Sequence, residues 1–165
     1  MKVQDILKLK GNRMLSASPS QTLSDAVILM AEEDIGSLVV LDNNRLAGML
    51  TFREILVVLA KRQKEQRVGP TPTMNQILVS EVMNPRPTQV APDMTIDTLR
   101  EVMNRCGERY LPVLEGDAIL GVVSFHDVAR AVLDAQSFEN RMLKAYIRDW
   151  PAEGDAEGSS DTPKS

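Results

Sequence analysis

The sequence predicts an α/β protein of two tandem β-α-β-β-α repeats packed in pseudo-two-fold symmetry, with a C-terminal helix after them. Three observations carry this. Shifted by 73 positions, residues 19–59 lie on residues 92–132 without a gap, so Thr22 falls on Thr95, Met30 on Met103 and Leu38 on Leu111. Both copies hold two short apolar runs split by a polar turn, Asp42-Asn43-Asn44 in one and Glu115-Gly116-Asp117 in the other. Both then end on the same pattern, Gly48-x-x-Thr51-x-x-Glu54 and Gly121-x-x-Ser124-x-x-Asp127.

The elements follow in order. Val3 to Leu9 reads as a short opening helix, and Arg13 to Ala17 as an extended piece ended by Pro19. Thr22 caps a helix running to about Asp34, with Asp25 at the acidic position of a capping box and Leu23, Val27, Met30 and Ala31 facing inward. Gly36 is expected to stop that helix. Ser37 to Leu41 is a buried strand, Arg45 to Thr51 its return strand, and Arg53 to Lys61 the closing helix. The first repeat thus spans 2–61 and a linker spans 62–78, broken by Gly69-Pro70-Thr71-Pro72. The second repeat spans 79–133, with Val79 to Met83 as the counterpart of the opening helix. Residues 134–150 form an amphipathic helix whose apolar stripe is Phe138, Met142, Leu143, Tyr146, Ile147 and Trp150, to be buried on its own domain or on a second subunit. Residues 151–165 are Gly, Ser, Asp and Glu with almost nothing apolar, and a disordered tail is expected.

Composition narrows the function. The formal net charge of −4 argues against a nucleic-acid partner, which usually needs a basic face. The basic cluster from Lys61 to Arg67 is short, contains Glu65, and reads as a solvated helix end. With aromatics at 4%, the core must be mostly Val, Leu, Ile and Met. The single cysteine, Cys106, excludes an internal disulfide and suits a reducing compartment. No signal peptide and no apolar run near the roughly 20 residues of a membrane span is read here, so a soluble, cytoplasmic protein without membrane association is expected. There is no Gly-rich phosphate loop ending in Lys-Ser/Thr, no Cys/His cluster at metal-ligand spacing and no supported Ser-His-Asp constellation. No enzyme, catalytic cofactor or metal site is therefore expected.

The hydroxyl-x-x-acid motifs have two physical readings. In the first they are capping boxes: the hydroxyl accepts from a helix N–H and the acid reaches back to the cap's own N–H. In the second, the free N–H groups and partial positive charge of the helix start hold a phosphate, Ser124 adds a donor, and the short carboxylate of Asp127 accepts from both hydroxyls of a ribose. His126 and Arg53, between hydroxyl and acid, are placed to face a phosphate.

The tandem β-α-β-β-α order, Tyr110-Leu111-Pro112-Val113 and Gly121-Val-Val-Ser124-Phe-His126-Asp127 resemble the CBS domain, two of which form a Bateman module. The resemblance covers about residues 2–133. It implies adenosine nucleotides held in clefts between the repeats. By that resemblance Ser124, His126, Asp127, Arg109, Tyr110, Gln89 and Val90 form the main, second-repeat site. Gln89 stands where the family often has Thr. A weaker first-repeat site would use Ser16, Thr51, Arg53 and Glu54, where Glu54 replaces Asp and Ile35-Gly36 replace basic residues. The implied ligand is AMP, ADP or ATP, with NAD and S-adenosylmethionine as further adenosyl candidates. The function expected is a regulatory, metabolite-sensing module that homodimerises and acts on an unidentified protein. The alternative is a non-catalytic interaction or dimerisation module with vestigial nucleotide sites.

Overall fold

Two hairpins form the centre of the fold. The computed structural model describes residues 1–11, 13–66, 69–70 and 72–148. The chain divides into two compact units, residues 1–128 and 129–165, and the first contains both hairpins.

In the first repeat, β1 (Ser16–Ala17) pairs in parallel with β2 (Ser37–Asp42), and β2 pairs antiparallel with β3 (Arg45–Thr51). In the second, β4 (Tyr110–Glu115) pairs antiparallel with β5 (Ala118–Ser124). A counterpart of β1 survives there as one bridging residue: Val90 lies parallel to Val113, as Ala17 lies to Val40. Val90 is buried and bonds Pro112 O through its N–H and Leu114 N–H through its carbonyl. The repeat extends to the irregularities, because the register slips between Val40 and Leu41 and again between Val113 and Leu114. Asn43 and Asn44 both take positive φ in the first turn, as a two-residue turn matched to strand twist requires, and Gly116 does so in the second.

Apolar side chains explain the burial. Leu38, Val39 and Val40 are all buried, as are Leu111, Pro112 and Val113, so the central strands are covered on both faces. No polar side chain is buried among the described residues. The helix α2 (Leu23–Glu33) packs through Leu23, Ala26 and Met30, with Val27 beside them. Ala31, anticipated on this face, is exposed; Ala26 takes the place because the stripe advances in steps of three and four. Thr22 caps α2 by accepting from Asp25 N–H at 3.2 Å. Only this hydroxyl half of the anticipated capping box is formed, and Thr95 caps α5 (Ile96–Cys106) in the same way.

The expected stop at Gly36 is corrected. The left-handed residue ending α2 is Asp34, with φ of 53°, and its counterpart after α5 is Gly107, with φ of 71°. Gly36 answers a different need: a Cβ there would meet the Tyr110 hydroxyl, and would lie 2.8 Å from Phe52 Cε2.

The opening segments are exchanged between repeats. The helix α1 (Val3–Lys10) begins the chain yet packs on the second repeat, with Val3 N–H bonded to Met94 O and Gln4 N–H to Pro92 O. The short helix α4 (Val79–Val82) does the reverse, with Val79 N–H on Gln21 O and Ser80 N–H on Pro19 O. These partners match at the 73-residue offset. Leu7 of α1 then abuts Gly121, and Met83 after α4 abuts Gly48. Two small residues, one in each return strand, thus admit the other repeat's opening segment.

A closing helix follows each return strand. The helix α3 (Phe52–Gln66) runs past the anticipated end at Lys61 and has no buried residue; Lys61 pairs with Glu65 one turn on. The helix α6 (Phe125–Arg148) is continuous, so the closing helix of the second repeat and the C-terminal amphipathic helix are one element. Met142 and Leu143 are exposed. The side chains of Phe138, Tyr146 and Ile147, together with Trp150 and the tail 151–165, lie outside what is described. No described helix is long and apolar enough to cross a membrane.

Candidate functional site

Each hydroxyl-x-x-acid motif forms a capping box at the start of the helix after a return strand. Ser124 N–H donates to Asp127 Oδ2 at 2.8 Å, and Asp127 N–H donates to Ser124 Oγ at 3.1 Å. In the first repeat, Thr51 N–H donates to Glu54 Oε1 at 2.8 Å and Arg53 N–H to Thr51 Oγ1 at 3.2 Å. The extra methylene of Glu54 brings its carboxylate within 2.8 Å of the Thr51 hydroxyl as well, so that hydroxyl spends its proton on Glu54. Ser124 Oγ only accepts in its box, and its own proton stays uncommitted among the described residues. Asp127 uses Oδ2 in the box and leaves Oδ1 without a partner among the described residues.

Two clefts adjoin these motifs, and each is built from both repeats. The smaller, about 250 Å³, is walled by Leu7, Met14, Leu15, Ile35, Leu120 and Val122, with Tyr110 at one side. Its polar lining is Ser37, Ser124, Lys10 and Arg13. The larger, about 780 Å³, is lined by Thr51, Phe52, Arg53 and Glu54 from the first repeat and by Gly107, Glu108, Arg109 and Tyr110 from the second. Thus the motif of one repeat faces the approach to the central strand of the other.

This topology regroups the residues singled out in the sequence. Arg109, grouped there with Ser124 and Asp127, lines the Thr51–Glu54 cleft, and Tyr110 lines both. Ile35 and Gly36, grouped with Glu54, line the Ser124 cleft instead. The backbone places Arg109 between the two: Arg109 O accepts from Phe125 N–H at 2.8 Å, so Arg109 is a neighbour of the second motif along the hairpin while it lines the cleft of the first. Gln89, Val90, Ser16 and His126 line neither cleft; Gln89, Ser16 and His126 are exposed and Val90 is in the core. Where Gln89 and Val90 are expected to wall the second-repeat site, the lining residues beside Ser124 are Arg13, Met14 and Leu15 of the first repeat.

The electrostatics of the two clefts differ. The charged residues lining the smaller are both cations, Lys10 and Arg13. Arg13 also pairs with Glu33. Lys10 is the residue the sequence did not flag. Its Nζ lies 2.8 Å from Asp127 Oδ2 and donates to Val122 O at 2.8 Å. It lines the cleft while pairing with Asp127, whose side chain is 15% exposed. A lone lysine ending a surface helix carries no sequence signal for this role, since only the exchange of α1 brings it here. The larger cleft mixes Arg53 and Arg109 with Glu54 and Glu108. Glu108 is held by Asn84 Nδ2 at 3.1 Å and by the Thr88 N–H and hydroxyl. No grouping of three or more His, Cys, Asp or Glu suited to a metal occurs among the described residues.

Comparison with known proteins agrees with this architecture. The family model of the CBS domain matches twice, at residues 3–61 and 79–134. The chain is 29% identical over 156 residues to the mitochondrial CBS domain-containing protein CBSX3 of Arabidopsis thaliana, covering 88% of this chain and 71% of that one. A CBS-domain-containing protein of Agrobacterium tumefaciens superposes with a TM-score of 0.70 at 26% identity, over 79% of this chain and 98% of that one. CBSX2, solved in complex with AMP, has the same fold with a TM-score of 0.66 at 23% identity, over 82% of this chain and 98% of that one. Two matched segments, a doubled hairpin with a shared bulge, and exchanged opening helices place this chain in the CBS domain family, with the domain present twice.

Proposed function

We propose that this tandem CBS chain is a regulatory module that binds an adenosine nucleotide, mainly in the cleft beside Ser124 and Asp127. One observation carries the choice of cleft. Ser124 keeps a hydroxyl proton to donate and Asp127 keeps a carboxylate oxygen to accept, beside a cleft whose charged lining residues are both cations. In this reading Asp127 accepts from the ribose, Ser124 and the first N–H groups of α6 approach the phosphate, and Arg13 balances its charge. Leu15, Ile35 and Leu120 form apolar walls for the base. The AMP bound by CBSX2 supports this class of ligand.

The larger cleft has the room of a ligand site, but Glu108 accepts hydrogen bonds through both oxygens and Thr51 gives its hydroxyl proton to Glu54. It is the weaker site in this account. No catalytic residue set is proposed.

A second reading, an interaction module, is favoured by α3, which leaves Phe52, Leu56, Val57 and Leu59 exposed. The two readings are compatible: a homodimer joined through this face would carry a nucleotide-dependent signal to a regulated protein. Thermal unfolding with AMP, ADP, ATP, NAD or S-adenosylmethionine separates them. Nucleotide at about 100 times Kd should stabilise by about 2.7 kcal/mol. No shift with any of the five leaves the interaction reading alone.

A further inference from the structure

We propose that Lys10 is a ligand-displaced latch, which ties the end of α1 to the second repeat only while the nucleotide cleft is empty. The inference rests on the nucleotide reading of that cleft.

The two exchanged opening segments are fastened differently at equivalent points. Beside the larger cleft, Met49 and Asn84 exchange two backbone hydrogen bonds, Met49 N–H to Asn84 O at 2.9 Å and Asn84 N–H to Met49 O at 2.8 Å. Val122 is the counterpart of Met49 at the 73-residue offset. Its carbonyl receives Lys10 Nζ at 2.8 Å, a side chain in place of a backbone pair. The same ammonium holds Asp127 at 2.8 Å. Glu54, the counterpart of Asp127, has no ion pair among the described residues. Only one side of the module therefore fastens its opening helix through the acid expected to hold a ribose.

Three further features make the fastening releasable. Lys10 is the last residue of α1, and its side chain is 37% exposed, so water can replace its contacts. Gly11 follows with φ of 84° and nothing within 4 Å of a Cβ built there, which gives the chain a pivot without steric resistance. The cleft Lys10 helps to line is about 250 Å³, slightly below the roughly 300–1,000 Å³ usual for small-molecule sites. Swinging Lys10 outward enlarges the cleft and uncovers Asp127 together. A ribose on Asp127 and Lys10 on Asp127 then compete, and occupancy of the cleft is read out as loosening of the last turn of α1.

Hydrogen exchange of the full chain, with AMP as the probe, tests this. In the ligand-free protein, Lys10→Met and Asp127→Asn each speed exchange at the Leu9 and Lys10 amides, and Lys10→Arg does not. AMP speeds the same amides in the wild type and adds little in Lys10→Met. Lys10→Met also binds AMP about two- to fivefold more tightly, the range expected from removing a partly exposed ion pair that competes with the ligand. Normal AMP binding with these amides unchanged or slowed, or weaker binding by Lys10→Met, overturns the latch and spares the nucleotide reading. Failure of AMP, ADP, ATP, NAD and S-adenosylmethionine to bind the wild type overturns both, whatever the ligand-free variants do.

Discussion

Gly48 and Asn84 approach so closely that a Cβ on Gly48 would lie 2.6 Å from the Asn84 carbonyl oxygen. That oxygen is fixed by the Met49 N–H, so the obstacle is backbone and cannot turn aside. Gly48→Ala should destabilise the fold by about 1–3 kcal/mol, as overpacking does. At Gly121, the matching position, the nearest obstacle is Leu7 Cδ2 at 3.0 Å, the end of a flexible side chain. Gly121→Ala should cost less. Urea unfolding of the two variants compares them, and an equal cost would argue against the rigid pairing of Asn84 with Met49.

Asp34 and Gly107 occupy the same left-handed position after α2 and α5. An aspartate there carries the conformational cost of φ near 53° and places a negative charge at the negative end of a helix. Asp34→Gly should stabilise the protein by about 0.5–1 kcal/mol once the added freedom of the unfolded chain is subtracted. A lowered thermal midpoint would mean that Asp34 makes a contact outweighing both terms.

Much of this fold was legible because the repeat is a local code written twice. Thr22 and Thr95 cap by their own hydroxyls, Asn43-Asn44 turn by their own backbone, and both hydroxyl-x-x-acid boxes close within four residues. What escaped was the long-range part. No local pattern says that residues 3–10 will dock against Met94 and Pro92, or that α4 will dock against Pro19 and Gln21. That exchange decides which half-sites meet, so Arg109 lines the cleft of Thr51 and Gly36 the cleft of Ser124, which neighbourhood in the sequence does not show. Lys10 was missed for the same reason. Gly36 was read by the usual habit of glycine after a helix, when the constraint is the Tyr110 ring from the other repeat.

The capping boxes separate structure from binding. Ser124→Ala and Thr51→Ala each remove a helix cap and should each cost about 1 kcal/mol of stability. Only Ser124→Ala should also weaken nucleotide binding, because only Ser124 has a hydroxyl proton to spare. Paired unfolding and binding measurements on both variants check this. Equal losses of affinity would remove the ground for choosing between the clefts.

The exposed face of α3 predicts self-association. Val57 is 61% exposed on a helix with no buried residue. Val57→Glu should leave the unfolding midpoint of a monomer nearly unchanged, since nothing within the chain buries it, while shifting a dimer toward monomer. Light scattering across a concentration series reads the shift. A wild-type chain that stays monomeric at high concentration would remove the homodimer from the account.

The most direct measurement is isothermal titration of AMP, ADP and ATP into the wild type, Asp127→Ala and Glu54→Ala. The account predicts saturable binding near one nucleotide per chain, a loss of about 2 kcal/mol or more in Asp127→Ala, and little change in Glu54→Ala, because only Asp127 would accept the ribose hydroxyls. Equal losses in the two variants, or a loss confined to Glu54→Ala, would contradict the placement of the ligand beside Ser124 and Asp127.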